Sequence, residues 1–306
     1  MMDKKNFTIS LDTCDSEDQS VLDSISFALE LFPTLKFEVF ASKSCINKAL
    51  KKDFKDRVSF IECDNTQDRK DSLKKALNSL KNKDSKALVS VSEISLIKDE
   101  SVKVLPKLSK VVAFASNLPK SSSSFALILD VGAKINPSAQ DLVFYALLGS
   151  QYFAKYCNKD RCKVGLLGID KEYIPLTDTI FNAHSALIKD KNIWYEGLID
   201  AEDIFDLNFD VLVTDPVSAN IALKSALSVY KKQGSGSGFS RFISKIMKPD
   251  WLSPLECNCS LLLGVDGVVV KSYAQKNKNA LVMAIVEAIK VLKADAISAL
   301  KNKSDV

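Results

Sequence analysis

The sequence predicts an α/β fold, a mainly parallel sheet with helices on both faces. Two observations carry that expectation. Short apolar runs alternate with helical stripes along most of the chain, joined by short connections. That is the pattern of a sheet built from strand–helix–strand units. The stretch 125–156 (FALILDVGAKINPSAQDLVFYALLGSQYFAKY) shows one unit in full. Its run FALIL ends at Asp130, and Gly132 follows in a tight turn. Pro137 and Ser138 then open a helix, with Asp141 three residues after Ser138 in an N-capping arrangement. Leu142, Ala146, Gly149 and Phe153 form one apolar stripe. In such a sheet the site lies outside the carboxyl ends of the strands.

Taken in order, the first strand covers residues 7–11 (FTISL). Ser16 and Gln19 make a capping box for a helix with the stripe Val21, Leu22, Ile25, Leu29 and Phe32, closing at Pro33. Strands at 35–41 and 57–63 flank a short helix at 46–52. A charged helix over 68–81 turns Leu73, Ala76, Leu77 and Leu80 inward. Strands follow at 86–91 and 111–116, then the polar turn KSSSS at 120–124. After the central unit come strands at 163–167, 194–199 and 210–214, with helices over 178–189 and 219–232. Gly234, Gly236 and Gly238 make a flexible joint before a short helix at 239–247. Strands at 260–263 and 267–271 turn at Asp266, and one helix over 279–300 closes the chain. No internal repeat interrupts this order, and the expected organisation is a single α/β domain over 1–306.

Composition narrows the function classes. With 46% apolar and 26% charged residues the chain reads as a soluble globular protein. No apolar run approaches the roughly 18–20 residues of a membrane span. The first residues, MMDKKNFTIS, lack the apolar core of a secretory leader. Seven scattered cysteines fit reduced thiols in a cytoplasm better than a disulfide framework. A net charge of +4 is too weak to argue for nucleic acid. Glycine is scarce: ten in 306 residues, about half the usual share, and three of these sit in the joint. A backbone cradle for phosphate usually needs glycine where the chain nears the anion. The composition therefore argues against an ordinary phosphate cradle.

The central stretch resembles the motif LDVGA…PxxLVxFALLGSxYA of the PlsX-type phosphate acyltransferases. The resemblance continues through 164–169 (VGLLGI), 210–224 (DVLVTDPVSANIALK) and 262–270 (LLGVDGVVV). It implies an isocitrate/isopropylmalate-dehydrogenase-like architecture with a projecting helical hairpin, at 225–256 in this chain. It also implies an acyltransferase that makes acyl phosphate from an acyl carrier protein thioester and orthophosphate, for phospholipid synthesis. Such an enzyme needs no metal or organic cofactor, forms a homodimer, and works in the cytoplasm with peripheral contact at the membrane.

Several site residues follow from the matched motifs. Asp130 and Gly132 fall on the acidic loop, where the carboxylate either orients a substrate or lysine or caps the turn. Asp215 and Asn220 fall on the family's D-G-F-x-G-N loop, here Asp-Pro-Val-Ser-Ala-Asn, with both glycines gone. Asn220 either donates its amide to a developing oxyanion or belongs to a plain helix start capped by Asp215 or Ser218. Lys224, on the same helical face as Asn220, is a phosphate contact or a solvated charge. Asp12 alone survives from D-A-M-G-G-D-H-A-P, and the acids that follow it, Asp15, Glu17 and Asp18, repel phosphate. Lys171 is the nearest substitute for the lysine of N-I-G-E-E-x-x-K-G-N.

The family's S-A-G-N-T-G-A, G-G-A-P-L-L-G and G-H-G-S-S-D loops are also rewritten, at 90–96, 258–264 and 272–277. The second reading is accordingly a catalytically degenerate homologue that keeps the fold and binds or scaffolds at the membrane surface. Residues 239–255 place Phe239, Phe242, Ile243, Ile246 and Trp251 beside Arg241, Lys245 and Lys248. That pattern suits an anionic membrane surface or an ordinary dimer or core helix. The single histidine, His184, reads as a core or surface residue, and Cys257 with Cys259 lacks the second pair of a zinc site.

Overall fold

The computed structural model describes residues 7–13, 18–50, 52, 54, 56–63, 69–119, 124–168, 178–205, 208–232, 259–273 and 278–301. Lys171, the residues Asp15 and Glu17, the glycine joint and the 239–255 stripe lie outside them. The chain divides into two compact units, Met1–Val112 with Cys257–Val306, and Ala113–Glu256.

In the first unit the strands are β1 (Thr8–Asp12), β2 (Lys36–Ala41), β3 (Val58–Glu62) and β4 (Ala87–Ser90). Two more, β10 (Cys259–Leu263) and β11 (Val268–Ser272), come from the end of the chain. Their order is β3-β2-β1-β4-β11-β10, parallel except for the hairpin β10–β11. All of β4, β10 and β11 is buried, as near-continuous apolar runs in a parallel sheet require. The helices are α1 (Asp18–Leu31), α2 (Lys43–Ala49), α3 (Arg69–Asn82), α4 (Ile94–Val104), α8 (Lys278–Ala294) and the short α9 (Ser298–Lys301). α8 lies on β4, β10 and β11 and packs on α1; α3 lies on β1, β2 and β4 and packs on α4. In register across three neighbouring strands, Asp12, Ser90 and Lys271 stand side by side at the carboxyl edge.

The second unit holds β5 (Ala113–Pro119), β6 (Phe125–Leu129), β7 (Lys163–Leu167), β8 (Trp194–Ile199) and β9 (Val211–Val213). Their order is β5-β6-β9-β7-β8, parallel except for β5–β6. The helices are α5 (Ala139–Cys157), α6 (Asp178–Lys189) and α7 (Pro216–Lys232). The stripe Leu142, Ala146, Gly149 and Phe153 is buried. At Gly149 a Cβ would stand 2.9 Å from Val211 Cγ1, so the glycine lets α5 press onto the sheet.

Four local expectations shift. α4 takes in the end of the loop read at 90–96 and residues to which no element was assigned. α2 starts at Lys43 because Ser42 caps it, accepting from the Cys45 N–H at 3.3 Å. The closing helix breaks at Asp295, which takes φ +50° and separates α8 from α9. The Gln19 amide bonds Asp23 within α1, and Ser16, its expected capping partner, lies outside the described residues. No described helix is long and apolar enough to cross a membrane.

Candidate active site

The carboxyl edge of the second unit is built around three aspartates. Asp130 follows β6 directly, is 0% exposed, and is entered through a cis peptide bond. Its Oδ1 accepts the N–H groups of Phe114 at 2.9 Å and of Gly132 and Ala133 at 3.0 Å. Its Oδ2 accepts from Ala133 at 2.8 Å and Lys134 at 2.9 Å. The loop from β6 to α5 thus winds around its own carboxylate. Burial pushes the Asp130 carboxyl upward from the ordinary range, against the pull of these N–H groups.

Asp141 closes the start of α5. Ser138 caps the helix, accepting from the Asp141 N–H at 3.2 Å. Asp141 Oδ2 accepts from the Ser138 N–H and hydroxyl, each at 2.6 Å, and from the Lys134 ammonium at 2.6 Å. Burial raises this carboxyl, but Lys134 and Ser138 together outweigh it and hold it below the ordinary range. Tyr145, one turn further on, is buried with its hydroxyl unpartnered among the described residues. Burial, with the charges of Asp130 and Asp141, pushes that phenol up.

Asp215 caps α7. Its Oδ1 accepts the N–H groups of Val217 at 2.9 Å and Ser218 at 3.0 Å, and its Oδ2 accepts the Ser218 hydroxyl at 2.5 Å. Pro216 at the first helical position has no N–H to offer. One turn in, Asn220 donates its amide to Val131 O at 3.0 Å and Pro216 O at 2.8 Å. Two carbonyl acceptors on one atom identify that atom as the nitrogen. Asn220 therefore ties the first turn of α7 to the Asp130 loop, with both amide hydrogens engaged. Lys224, one turn beyond, is exposed and makes no ion pair among the described residues.

A pocket of about 340 Å³ opens at this edge. Ile135, Pro137, Leu142, Leu167, Ile180 and Val217 line it together with the polar Asn136 and Thr179, and with Asp215 and Ser218 at the start of α7. Asp130, Asn220 and Lys224 are not among its lining residues. The pairing of Asp130 with Asp215 through Asn220 and Val131 could not be read from spacing, because Asn220 and Val131 are 89 residues apart.

In the first unit Asp12 ends β1 at 1% exposure. Ser72 donates to its Oδ1 at 2.6 Å; Ser90 and Ser92 donate to its Oδ2 at 2.6 and 2.7 Å. Lys271, buried beside this group, donates to Val91 O and Ser272 O, each at 2.7 Å, and stands 5.2 Å from the centre of the Tyr273 ring. Sequence reasoning missed this cluster. Ser90-x-Ser92 at a strand end is its one local signal, since the period of two puts both hydroxyls on one side. His184 bonds the Tyr195 hydroxyl through Nδ1 at 2.8 Å. Among the described residues no three His, Cys, Asp or Glu side chains gather as a metal site.

The model of the fatty acid synthesis protein family matches residues 7–299. A phosphate acyltransferase of Moritella marina is 29% identical over 181 residues, 55% of this chain and 54% of that protein. One from Shewanella sp. (strain W3-18-1) is 32% identical over 164 residues, 49% of this chain and 48% of that protein. The chain thus spans about half the length of the curated relatives it matches. Among solved structures, a branched-chain phosphotransacylase from Enterococcus faecalis shares the fold with a TM-score of 0.67 at 13% identity, covering 94% of this chain and 99% of the other. A phosphotransacetylase from Staphylococcus aureus does so with 0.63 at 12%, covering 96% of each. The match to the family model takes in both units, and the chain belongs to the fatty acid synthesis protein family, the PlsX type that its central motifs resemble.

Proposed function

We propose that this chain is a phosphate acyltransferase, taking an acyl group from an acyl carrier protein thioester to orthophosphate and feeding phospholipid synthesis. The family match across residues 7–299 carries this reading. A phosphate oxygen attacks the thioester carbonyl carbon, the carbon–sulfur bond breaks, and the carrier leaves as a thiolate that takes up a proton. The acyl phosphate needs no cofactor to form. Asp130, Gly132 and Asp215 shape the loops around the reaction, and Asp12 fixes the corresponding edge of the first unit. Lys224 supplies positive charge for the phosphate, with Lys171 as the second cation. Asn220 serves the oxyanion when one of its two carbonyl bonds opens. A homodimer, and salt-sensitive contact of the 239–255 stripe with an anionic membrane from the cytoplasmic side, complete the reading.

One observation favours the degenerate-homologue reading instead. Asp130, Asp141 and Asp215 already occupy backbone N–H groups in the loop after β6 and at the starts of α5 and α7. The test is release of acyl carrier protein from its thioester with and without orthophosphate. Phosphate-dependent release, lowered on the order of a hundredfold by Lys224→Ala, supports the transferase. No phosphate-dependent release gives the field to the binding protein. Release that Lys224→Ala leaves intact keeps the reaction and removes Lys224 from it.

A further inference from the structure

We propose that the amino edge of the first unit docks on an anionic lipid surface, through lysines clustered around the turn from β10 to β11. This surface is separate from the 239–255 stripe, and its binding does not require turnover.

Several connections meet at that turn, residues 264–267. The Asp266 N–H donates to Pro106 O at 2.8 Å, the Leu108 N–H donates to Gly264 O at 2.9 Å, and Lys107 pairs with Val265. A Cβ on Gly267 would stand 3.0 Å from Leu80 Cδ2 and 3.2 Å from Leu105 Cδ1, so the ends of α3 and α4 both close on it. These contacts bring Lys81, Lys83 and Lys86, between the last turn of α3 and β4, to the same edge as Lys103 and Lys107, around the end of α4. All five are exposed.

A cation in the last turn of a helix answers the helix dipole, which accounts for Lys81 and Lys103. It does not account for Lys83, Lys86 and Lys107. They lie beyond the helix ends and have no ion pair among the described residues. Asp84 is the exposed acid beside them, and Asp266 is already matched by Lys301 at 2.6 Å. Like charges gathered in this way repel one another, and an anionic surface relieves that repulsion.

The opposite edge carries the other sign: Glu62 ends β3 and Glu93 stands at the N-cap of α4, both exposed. A negative surface therefore draws the unit amino edge first, with the carboxyl edge and Asp12 turned away from the lipid. No arginine lies between Lys81 and Lys110. Lysine is a hydrated point charge on a flexible stem, without the fork that fixes a carboxylate in one place. Such charges suit headgroups that move to meet them better than the fixed acids of a protein partner.

Co-sedimentation of the full chain with vesicles of phosphatidylcholine and phosphatidylglycerol in equal parts tests this, against vesicles of phosphatidylcholine alone. Binding should require phosphatidylglycerol and should vanish at about 1 M salt, where the Debye length is about 3 Å. Each lysine near an anionic surface is worth about fivefold in affinity. Lys83→Gln, Lys86→Gln and Lys107→Gln combined should thus bind on the order of a hundredfold more weakly. The same three positions changed to arginine should bind as the wild type does. So should Lys155→Gln, Lys189→Gln and Lys191→Gln combined, an equal change of charge at exposed residues of the second unit. Trp251→Ala, in the 239–255 stripe, should keep salt-sensitive binding.

Vesicle binding that the first glutamine triple leaves intact would overturn the assignment, as would equal weakening in the second-unit triple. Binding to phosphatidylcholine alone, or complete loss in Trp251→Ala, would overturn it too. Loss of acyl carrier protein binding in the first triple, with vesicle binding kept, would make this edge a protein-docking surface instead. Release of acyl carrier protein from a soluble thioester reads the transferase separately, and the first triple should match the wild type there. A wild type without phosphate-dependent release ends the transferase and leaves the lipid surface standing.

Discussion

Asp12 and Asp130 occupy matching places in their two units, each at the carboxyl end of an inner strand and each buried. They are solvated in opposite ways. Asp12 is held by the hydroxyls of Ser72, Ser90 and Ser92, which lie 60, 78 and 80 residues away in sequence. Asp130 is held by backbone N–H groups, three of them from the four residues that follow it. A carboxylate solvated by side chains ties distant elements together, here α3 to β1 and to the end of β4. One solvated by backbone fixes chiefly its own loop, with one bond to Phe114 in β5, and it does so almost regardless of which side chains that loop carries. The chemistry differs too. A hydroxyl rotates and can accept as well as donate, whereas an N–H can only donate.

The sharpest way to break this comparison is the isosteric amide. Asp130→Asn turns an NH₂ group toward N–H donors that cannot accept, and should cost about 3 kcal/mol in urea unfolding. Asp12→Asn leaves hydroxyls that can reverse, and should cost about 1 kcal/mol. Equal costs, or the reverse order, would show that the solvating groups do not decide the matter. Truncation raises the stakes without changing the order. Asp130→Ala strands four donors, of which those of Phe114 and Ala133 are buried, and should lose about 4 kcal/mol, against about 2 kcal/mol for Asp12→Ala.

A smaller effect separates a loop-filling aspartate from a helix cap. Asp215→Ala removes the acceptor for Val217 and Ser218 and should lower stability by about 1 kcal/mol. Asp215→Ser, which keeps a capping oxygen, should restore most of it. A loss as large as that of Asp130→Ala would mean that Asp215 does more than cap α7.

The smallest effect is the dependence on pH, and its sign differs between neighbours. Asp130 is pushed up, so its contribution is fully present below the ordinary carboxylate pKa and is lost as pH rises through the raised value. Asp141 is held down, so its contribution is present above the ordinary carboxylate pKa and is lost as pH falls through the depressed value. Urea midpoints measured across acid pH should therefore show a shallower acid limb in Asp141→Asn and in Lys134→Ala. An unchanged slope in both would remove the Lys134–Asp141 contact from the account.

Local signals carried much of the fold. β6, β7, α6 and β8 fall where apolar runs and breakers placed them, and the Ser138–Asp141 box forms as its spacing implied. α4 was missed because its buried face includes Glu100 and Ser101 beside Ile97, so polar letters hide the stripe. α7 begins three residues earlier than its apolar pattern, because Asp215 and Pro216 make a helix start that periodicity does not register. For the site, Asp130 and Asp215 each stood as either a ligand or a cap, and both are engaged as caps of their own backbone. Beyond the Ser90-x-Ser92 spacing, the partners of Asp12 and the tie from Asn220 to Val131 had no local signature, because tertiary folding brings them together.

The central claim is that the chain's own carboxylates fill the backbone donor sites of the loop after β6 and of the start of α7, which leaves these amides unavailable to an anion. Amide resonances of Gly132, Ala133, Lys134, Val217 and Ser218, followed through a titration with orthophosphate, test it most directly. The account predicts no saturable shift at any of the five in the wild type. A saturable shift confined to these amides would mean that phosphate displaces the aspartates and binds the backbone after all.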